Sequence, residues 1–442
     1  MVIGIRREDK NRWERRVPLT PEDVRELRER HRLELQVQPS PIRAFPDEAY
    51  AAAGAHLRED LAGCDLILGV KEVPRPAILH DKGYFFFSHT IKGQAHNMPM
   101  LQRLLDSGCT LLDYELITDE QGRRLVFFGG FAGLAGMIVS LHALGQRLRV
   151  EGIPNPFTRI RRTYEYADLA EAKSEIAAVG ETIGREGLDP RITPLAVGFT
   201  GYGHVSRGAQ EILDLLPVKA ITPQELSSLR RRPDLSRHQV YKVVFREEHL
   251  VRPRDAGQRF ELQDYYRHPE KYESAFETYA PHLHLLINGI YWTEKYPRLI
   301  TKGQAARLYG EAAQPNLRVI GDISCDVEGS IEPTVKVTDP ETPCFVYDVF
   351  TGKALDGFAG TGPVIMAVDN LPCELPVEAS RFFSRALKGF VAEFSGADPA
   401  RPIDEWGLSA ALRRAVIAER GRLAPDFRHL AARLPRQEPP QG

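Results

Sequence analysis

The stretch Leu195-Ala196-Val197-Gly198-Phe199-Thr200-Gly201-Tyr202-Gly203-His204-Val205-Ser206-Arg207-Gly208 decides how this chain is read. Its apolar first five residues spell a strand, and the helix-forming AQEILDLL follows the glycines. In a Rossmann unit, glycines at such a strand-to-helix turn let the backbone approach a pyrophosphate. The helix N-terminus then holds the phosphates with its partial positive charge. Gly201 and Gly203 fill the first two places of G-x-G-x-x-G, His204 and Val205 open the helix, and Ser206 stands where the third glycine belongs. These five residues form the expected nucleotide cradle, with the Ser206 hydroxyl either loosening the helix packing or reaching a phosphate. The next strand, Val218 to Ile221, ends at Thr222, where an enzyme using NAD would usually place an acid for the ribose hydroxyls. With that acid missing and Arg230, Arg231 and Arg232 close behind, NADP(H) is favoured over NAD(H).

Outward from this loop the chain alternates short apolar runs with helix-like segments, the pattern of parallel sheets with crossover helices. N-terminal strands are predicted at Val2 to Ile5, Leu33 to Val37, Leu66 to Val70, Phe85 to Phe87 and Thr110 to Leu112. Thr20-Pro21-Glu22-Asp23 supplies a capping hydroxyl, a first-turn proline and acids for a helix reaching about Arg30, and Asn97 is placed to cap the helix before Cys109. A long apolar helix from about Phe131 to Arg147 is read as a bridge between domains. Residues 224–280 are weakly periodic and read as an insertion. Strands follow at Leu283 to Ile287 and Leu317 to Ile320, then a helix from Leu375.

At 442 residues the chain exceeds one small domain, taking about 150 residues per domain as a guide. Its 58 Lys and Arg nearly cancel 60 Asp and Glu, so no overall field invites nucleic acid or an anionic membrane. No apolar run suits a membrane helix, and MVIGIRRED enters a strand with no leader pattern, which predicts a cytoplasmic protein. Five cysteines without C-x-x-C spacing indicate neither a disulfide framework nor a metal site.

Ligands of open parallel sheets sit beyond the carboxyl ends of the strands. The residues expected there are Arg6, Arg7, Lys71, Glu72, His89, Asp113 and Glu115 in the first unit, and the glycine loop, Asn288 and Asp322 in the second. Only 13 of the 58 cationic residues are lysine, so a lysine at a strand end stands out. Arginine does not release its proton in a protein, whereas a desolvated lysine can be tuned toward neutrality. Lys71 and His89, with Glu72 and Glu115 to adjust them, make a candidate acid-base set.

WERRVPLTP, LILGVKEVP, FFSHTIKGQ, LLDYE, FFGGFAGLAGMI, FTGYGHVSRGAQ, LINGIYW, GDISCDVEGSIE and AVDNLPCELPVEAS together resemble, in order, the lysine-2-oxoglutarate reductase half of α-aminoadipic semialdehyde synthase. More distantly the chain is similar to lysine-forming saccharopine dehydrogenase and the alanine dehydrogenase and transhydrogenase group. The resemblance implies two Rossmann-like, doubly wound α/β domains flanking a cleft. The expected division is 1–134 with 366–430 as substrate domain, 135–365 as dinucleotide domain and 431–442 as a disordered tail. It implies that Lys71 and His89 act as the acid-base pair, that Glu72 and Glu115 modulate it, that Arg16 and Arg124 hold oxo-acid carboxylates, and that Asp322 lies near the nicotinamide. The implied reaction condenses L-lysine with 2-oxoglutarate and reduces the imine with NADPH to saccharopine, which a separate enzyme would oxidise. A related amino-acid dehydrogenase, or a nucleotide-binding regulatory protein without catalysis, is the alternative.

Overall fold

The computed structural model describes residues 1–232, 235–311, 315–396 and 401–435. The chain divides into two compact units, one from Met1–Phe128 with the described residues from Pro376 onward, the other Gly129–Leu375. The expected boundaries at 134/135 and 365/366 fall inside the helix Gly129–Val150 and the strand Val364–Met366.

In the first unit, strands β1 (Val2–Ile5), β2 (Glu34–Val37), β3 (His56–Leu57), β4 (Leu66–Leu68), β5 (Gly83–Phe86) and β6 (Thr110–Asp113) pair in parallel in the order β6-β5-β4-β1-β2-β3. The helix Pro21–His31 starts where Thr20 accepts from the Asp23 backbone N–H. Asn97 precedes the helix Met98–Asp106, but its side chain makes no capping bond there and donates instead to the His89 carbonyl. The topological switch lies between β1 and β4, so the residues following these two strands face a common crevice.

The second unit opens with the helix Gly129–Val150, buried along most of its length. Its sheet runs β15 (Ala354–Asp356), β14 (Cys344–Tyr347), β16 (Val364–Met366), β13 (Val319–Asp322), β12 (Leu285–Asn288), β7 (Ala196–Thr200), β9 (Val240–Phe245), β8 (Val218–Ala220), parallel except for β14 and β15. A hairpin of β10 (Val251–Pro253) and β11 (Tyr272–Ser274) lies outside it. The segment read as an insertion thus contains β9, which pairs with β7 over all five of that strand's residues. Finally β17 (Val416–Glu419) returns antiparallel to β6, and β18 (Arg422–Leu423) pairs antiparallel with β17 at the edge. The expected tail from 431 begins within the 3-10 helix Pro425–Arg433, and 436–442 lie outside the described residues. No described helix is long and apolar enough to cross a membrane.

Behind the glycine turn the helix His204–Leu213 presses against the buried helix Gly129–Val150. A Cβ on Gly208 would run into the Gly130 carbonyl, and one on Gly133 into the Val205 carbonyl. The close-packing glycine is therefore Gly208, two residues beyond the expected place. A side chain there is accommodated only by pushing the backbones of these helices apart, so Gly208→Ala should cost about 1–3 kcal/mol. Thermal unfolding should show a loss of about 2–4 °C per kcal/mol; an unchanged midpoint would contradict this packing.

Candidate active site

The first cluster gathers at the carboxyl ends of β1, β4 and β5. The β4–β5 ladder pairs Leu68 with Phe85, and the Phe87 N–H donates to the Val70 carbonyl (3.1 Å). This register brings the segments carrying Lys71, Glu72 and His89 side by side. His89 Nδ1 lies 2.6 Å from Glu72 Oε1, and Lys10 donates to Glu72 Oε2 (3.1 Å). Burial opposes ionisation of Glu72, but His89, by hydrogen bond and by charge, together with Lys10, holds its carboxyl down at about 2. His89 sits at φ +50°, a left-handed conformation rare for a residue with a side chain, fixed by the Asn97 amide on its carbonyl (3.0 Å).

Lys71 is half-buried. Burial lowers its pKa, and the charges of Arg16 and Lys10 lower it further against the opposing pull of Glu14 and Glu72. The backbone N–H groups of Val70 and Lys71 donate to Glu8 (2.7 and 3.0 Å), so that carboxylate clamps the turn that presents Lys71. Glu8 itself is pushed up by burial, with Arg6 opposing.

Arg16 is buried, and its Nε and Nη2 donate to the two oxygens of buried Glu14 (2.7 and 2.6 Å). Its guanidinium lies 4.3 Å from the centre of the Phe128 ring, which stacks on Phe383 at 4.5 Å. Ser380 and Ser384 of the helix Pro376–Ser395 accept from the Val17 and Thr20 N–H groups (2.9 Å each), fixing the segment behind Arg16. Glu115 pairs with half-exposed Arg124, and its N–H donates to Asp113 (2.8 Å). Asp113, raised by burial, also accepts from the Ser88 N–H (2.9 Å) and hydroxyl, which fixes the turn into His89. The structure therefore joins Glu72 with His89 and Glu115 with Arg124. Glu8, Glu14, Lys10 and Ser88 were missed, the first three because they lie in the charged run REDKNRWERR, which reads as solvated surface.

In the second unit Gly201, at φ +81°, and Gly203 border a cavity of about 360 Å³. A Cβ on Gly203 would project into open space, as a cradle for a ligand backbone requires, and His204 begins the helix behind it. Val205 packs beneath Gly289, where a Cβ would touch it at 2.9 Å. Ser206 is buried and its hydroxyl accepts from Gln210 (3.0 Å), so it is turned into its own helix rather than toward a phosphate. Asn288 and Asp322 are wholly buried. The Asn288 amide donates to Asp322 and Ser330 (2.9 Å each), Thr200 donates to Asn288 (2.7 Å) and Thr334 to Asp322 (2.6 Å). Their side chains lock the ends of β7, β12 and β13 together and do not line the cavity.

Two expected cofactor contacts lie away from this cavity. β8, which leads to Thr222, is the edge strand, separated from β7 by β9. Thr222 caps the helix Pro223–Leu226 in a box with Glu225, and Arg230 donates to Asn316 (2.8 Å). Neither lines the cavity. The strand beside β7 is β9, and Arg246 and Glu247 follow it into the cavity wall.

Residues 4–135 match the family described as alanine dehydrogenase/PNT, N-terminal domain. Among curated relatives, alpha-aminoadipic semialdehyde synthase of Arabidopsis thaliana is 38% identical over 446 residues, covering 97% of this chain and 41% of that protein. The mitochondrial protein of that name from Bos taurus is 38% identical over 443 residues, covering 97% and 47%. Saccharopine dehydrogenase [NAD(+), L-lysine-forming] of Neurospora crassa is 28% identical over 404 residues, covering 87% and 89%. The chain thus spans less than half the length of the semialdehyde synthases it matches. Among solved structures, an L-alanine dehydrogenase superposes with TM-score 0.61 at 19% identity, covering 98% of this chain and all of that one. The transhydrogenase from Sinorhizobium meliloti gives 0.57 at 15%, covering 96% and 100%. The fold is the two-domain α/β architecture of these dehydrogenases, each domain built on a mainly parallel sheet.

The Glu14–Arg16 pair is the most deeply buried charge pair of the first cluster, with side chains 0% and 2% exposed. Removing Glu14 takes two charge-assisted hydrogen bonds away from a buried guanidinium, so Glu14→Ala should destabilise the protein by about 3–5 kcal/mol. Urea unfolding measures this, and a loss under about 1 kcal/mol would contradict the pairing.

Proposed function

We propose that the chain is a nicotinamide-dependent oxidoreductase that joins the ε-amine of L-lysine to 2-oxoglutarate and reduces the resulting imine to saccharopine. The observation that carries this reading is the 2.6 Å hydrogen bond between His89 and Glu72, with Lys71, its pKa lowered by burial, next to Glu72 in the chain. Such a set offers groups that can take and return protons.

The amine must be neutral to attack the ketone carbon, forming a carbinolamine. Protonation of its hydroxyl releases water and leaves the imine. The cofactor, when bound, supplies the hydride that reduces the imine carbon. On this reading Lys71 and His89 take and return the protons, and Glu72 holds the imidazole in place by its hydrogen bond. Arg16 and Arg124 orient the oxo-acid carboxylates, which enter in competition with Glu14 and Glu115 and so trade one carboxylate for another at little cost in unpaired charge. The backbone from Gly201 to Val205 would cradle the pyrophosphate at the helix N-terminus.

The names of the relatives support the same chemistry, since α-aminoadipic semialdehyde synthase and saccharopine dehydrogenase are 38% and 28% identical to this chain over 97% and 87% of its length. A related amino-acid dehydrogenase with another amine and oxo acid is the rival, and a substrate screen separates the two. Oxidation of reduced nicotinamide should require lysine and 2-oxoglutarate together, with neither alone sufficient. Lys71→Met and His89→Gln should each lower turnover by about 10²-fold to 10⁴-fold while leaving dinucleotide affinity unchanged. Full turnover in either variant would remove that residue from the mechanism.

A further inference from the structure

We infer that the cavity beneath the helix Lys302–Glu311 is a second small-molecule site, which takes a neutral aromatic compound of one or two rings and acts on the cavity at the glycine loop. The second half of this rests on reading that loop as the nucleotide site. The cavity measures about 210 Å³ and lies between the helix and one face of the sheet. Its walls include Ala305 and Leu308 of the helix, Leu317 on the approach to β13, Ile320 within it, Pro363 ahead of β16, and Leu299. The cause is in the sequence. The helix carries Gly303, Ala305, Ala306 and Gly310, and the buried Ala305 in particular is too small to fill the space over Leu317 and Ile320.

The space is held open from both ends of the helix. At its start, Gln304 Oε1 accepts from the Thr301 N–H (2.7 Å) while Thr301 Oγ1 accepts from the Gln304 N–H (3.1 Å), a reciprocal cap. Toward its end, the Tyr309 hydroxyl donates to the Leu317 carbonyl (2.5 Å) and stands as a strut between the helix and the chain entering β13. A helix pinned at both ends does not settle onto the sheet, so the space persists. An engineered protein cavity of about 150 Å³ with apolar walls takes up benzene, and this larger one has room for a fused second ring. At the mouth, exposed Glu277 accepts from Gln304 (3.1 Å) and lies 3.6 Å from Arg307. With those charges already matched, the mouth requires no ionic group on the ligand.

Leu299 joins this cavity to the other. It lines both the space under the helix and the cavity that Gly201 and Gly203 border, and it is 2% exposed. Its backbone is fixed, because its N–H and that of Ile300 both donate to the Ser330 carbonyl (2.8 and 3.2 Å). Only the side chain can therefore yield. A ring bound under the helix confines that side chain to its far side, where it narrows the glycine-loop cavity. Dinucleotide affinity then falls, and by linkage a bound dinucleotide weakens the aromatic ligand by the same factor.

Indole is the probe, and its effects are read by thermal unfolding of the purified chain and by fluorescence titration with NADH and with NADPH. Indole should raise the unfolding midpoint, as a ligand held only by the folded state does. It should also weaken dinucleotide binding about fivefold or more, with the weakening levelling off once the site is full. Ala305→Leu, which places a larger apolar side chain in the space, should abolish both effects while unfolding at or above the midpoint of the unaltered protein. Leu308→Phe carries the same test should Ala305→Leu fail to fold. No rise in midpoint with indole, or an undiminished rise in the filled variants, overturns the inference. Weakening that grows without limit means that indole enters the glycine-loop cavity itself, and overturns it as well. An unchanged dinucleotide affinity at saturating indole overturns the coupling through Leu299 and with it the inference as stated. If neither dinucleotide binds, the nucleotide reading of the glycine loop falls, while a midpoint rise that is lost in Ala305→Leu still supports the site under the helix.

Discussion

A hydrogen bond of 2.6 Å between His89 and Glu72 links the segments that leave two adjacent strands, and the rest of the first cluster is arranged around it. Parallel pairing of β4 and β5 places these residues at one edge, but it does not aim the side chains. The aim comes from the turns. Glu8 grips the N–H groups of Val70 and Lys71, Asp113 grips Ser88, and Asn97 grips the carbonyl of a histidine held at positive φ. Each turn is thereby fixed by a side chain from a different segment of the chain, which converts a sheet edge into a defined array of protonating groups.

The second unit solves a different problem, that of bringing bare backbone to a ligand. Glycines do this twice over. Gly201 and Gly203 clear the turn, while Gly208 and Gly133 let the helix behind it pack backbone against backbone on the buried helix. The polar residues at the ends of β12 and β13 serve the same rigidity. Asn288 and Asp322 commit their hydrogen bonds to one another and to Ser330, Thr334 and Thr200, so the strand ends behind the glycine turn form a closed network that leaves main chain to meet whatever binds above.

Much of this is legible in the residues alone. The glycine turn, the strands around Lys71 and His89 and the cap at Thr20 carry local signals, because turn geometry and capping depend on neighbours in sequence. The order of strands does not. Val240–Phe245 is apolar at five of six positions and has the composition of a strand, but it lies among Arg, Glu and His residues that dilute the periodicity. Overlooking it misplaces β8 beside β7, because counting strands along the chain does not reveal that β9 lies between them in the sheet. Glu8 and Glu14 are hidden for a related reason. A carboxylate in a run of charges reads as hydrated until folding supplies Arg6 and Arg16 as buried partners. The roles of Arg16 and Arg124 come from family resemblance, and nothing in their spacing indicates them.

Glu72 stays ionised because His89 and Lys10 hold it so, and its carboxyl carbon reports this directly. In protein labelled with carbon-13 at glutamate carboxyls, with the signal assigned by its loss in Glu72→Gln, the resonance should show no titration between about pH 4 and pH 8. A group whose carboxyl is held at about 2 in the folded protein completes its ionisation below that range, and the stability it confers is lost only as the pH falls toward 2. A midpoint at or above about 4.3, the value of an unperturbed glutamate, would mean that the hydrogen bond to His89 does not hold in solution.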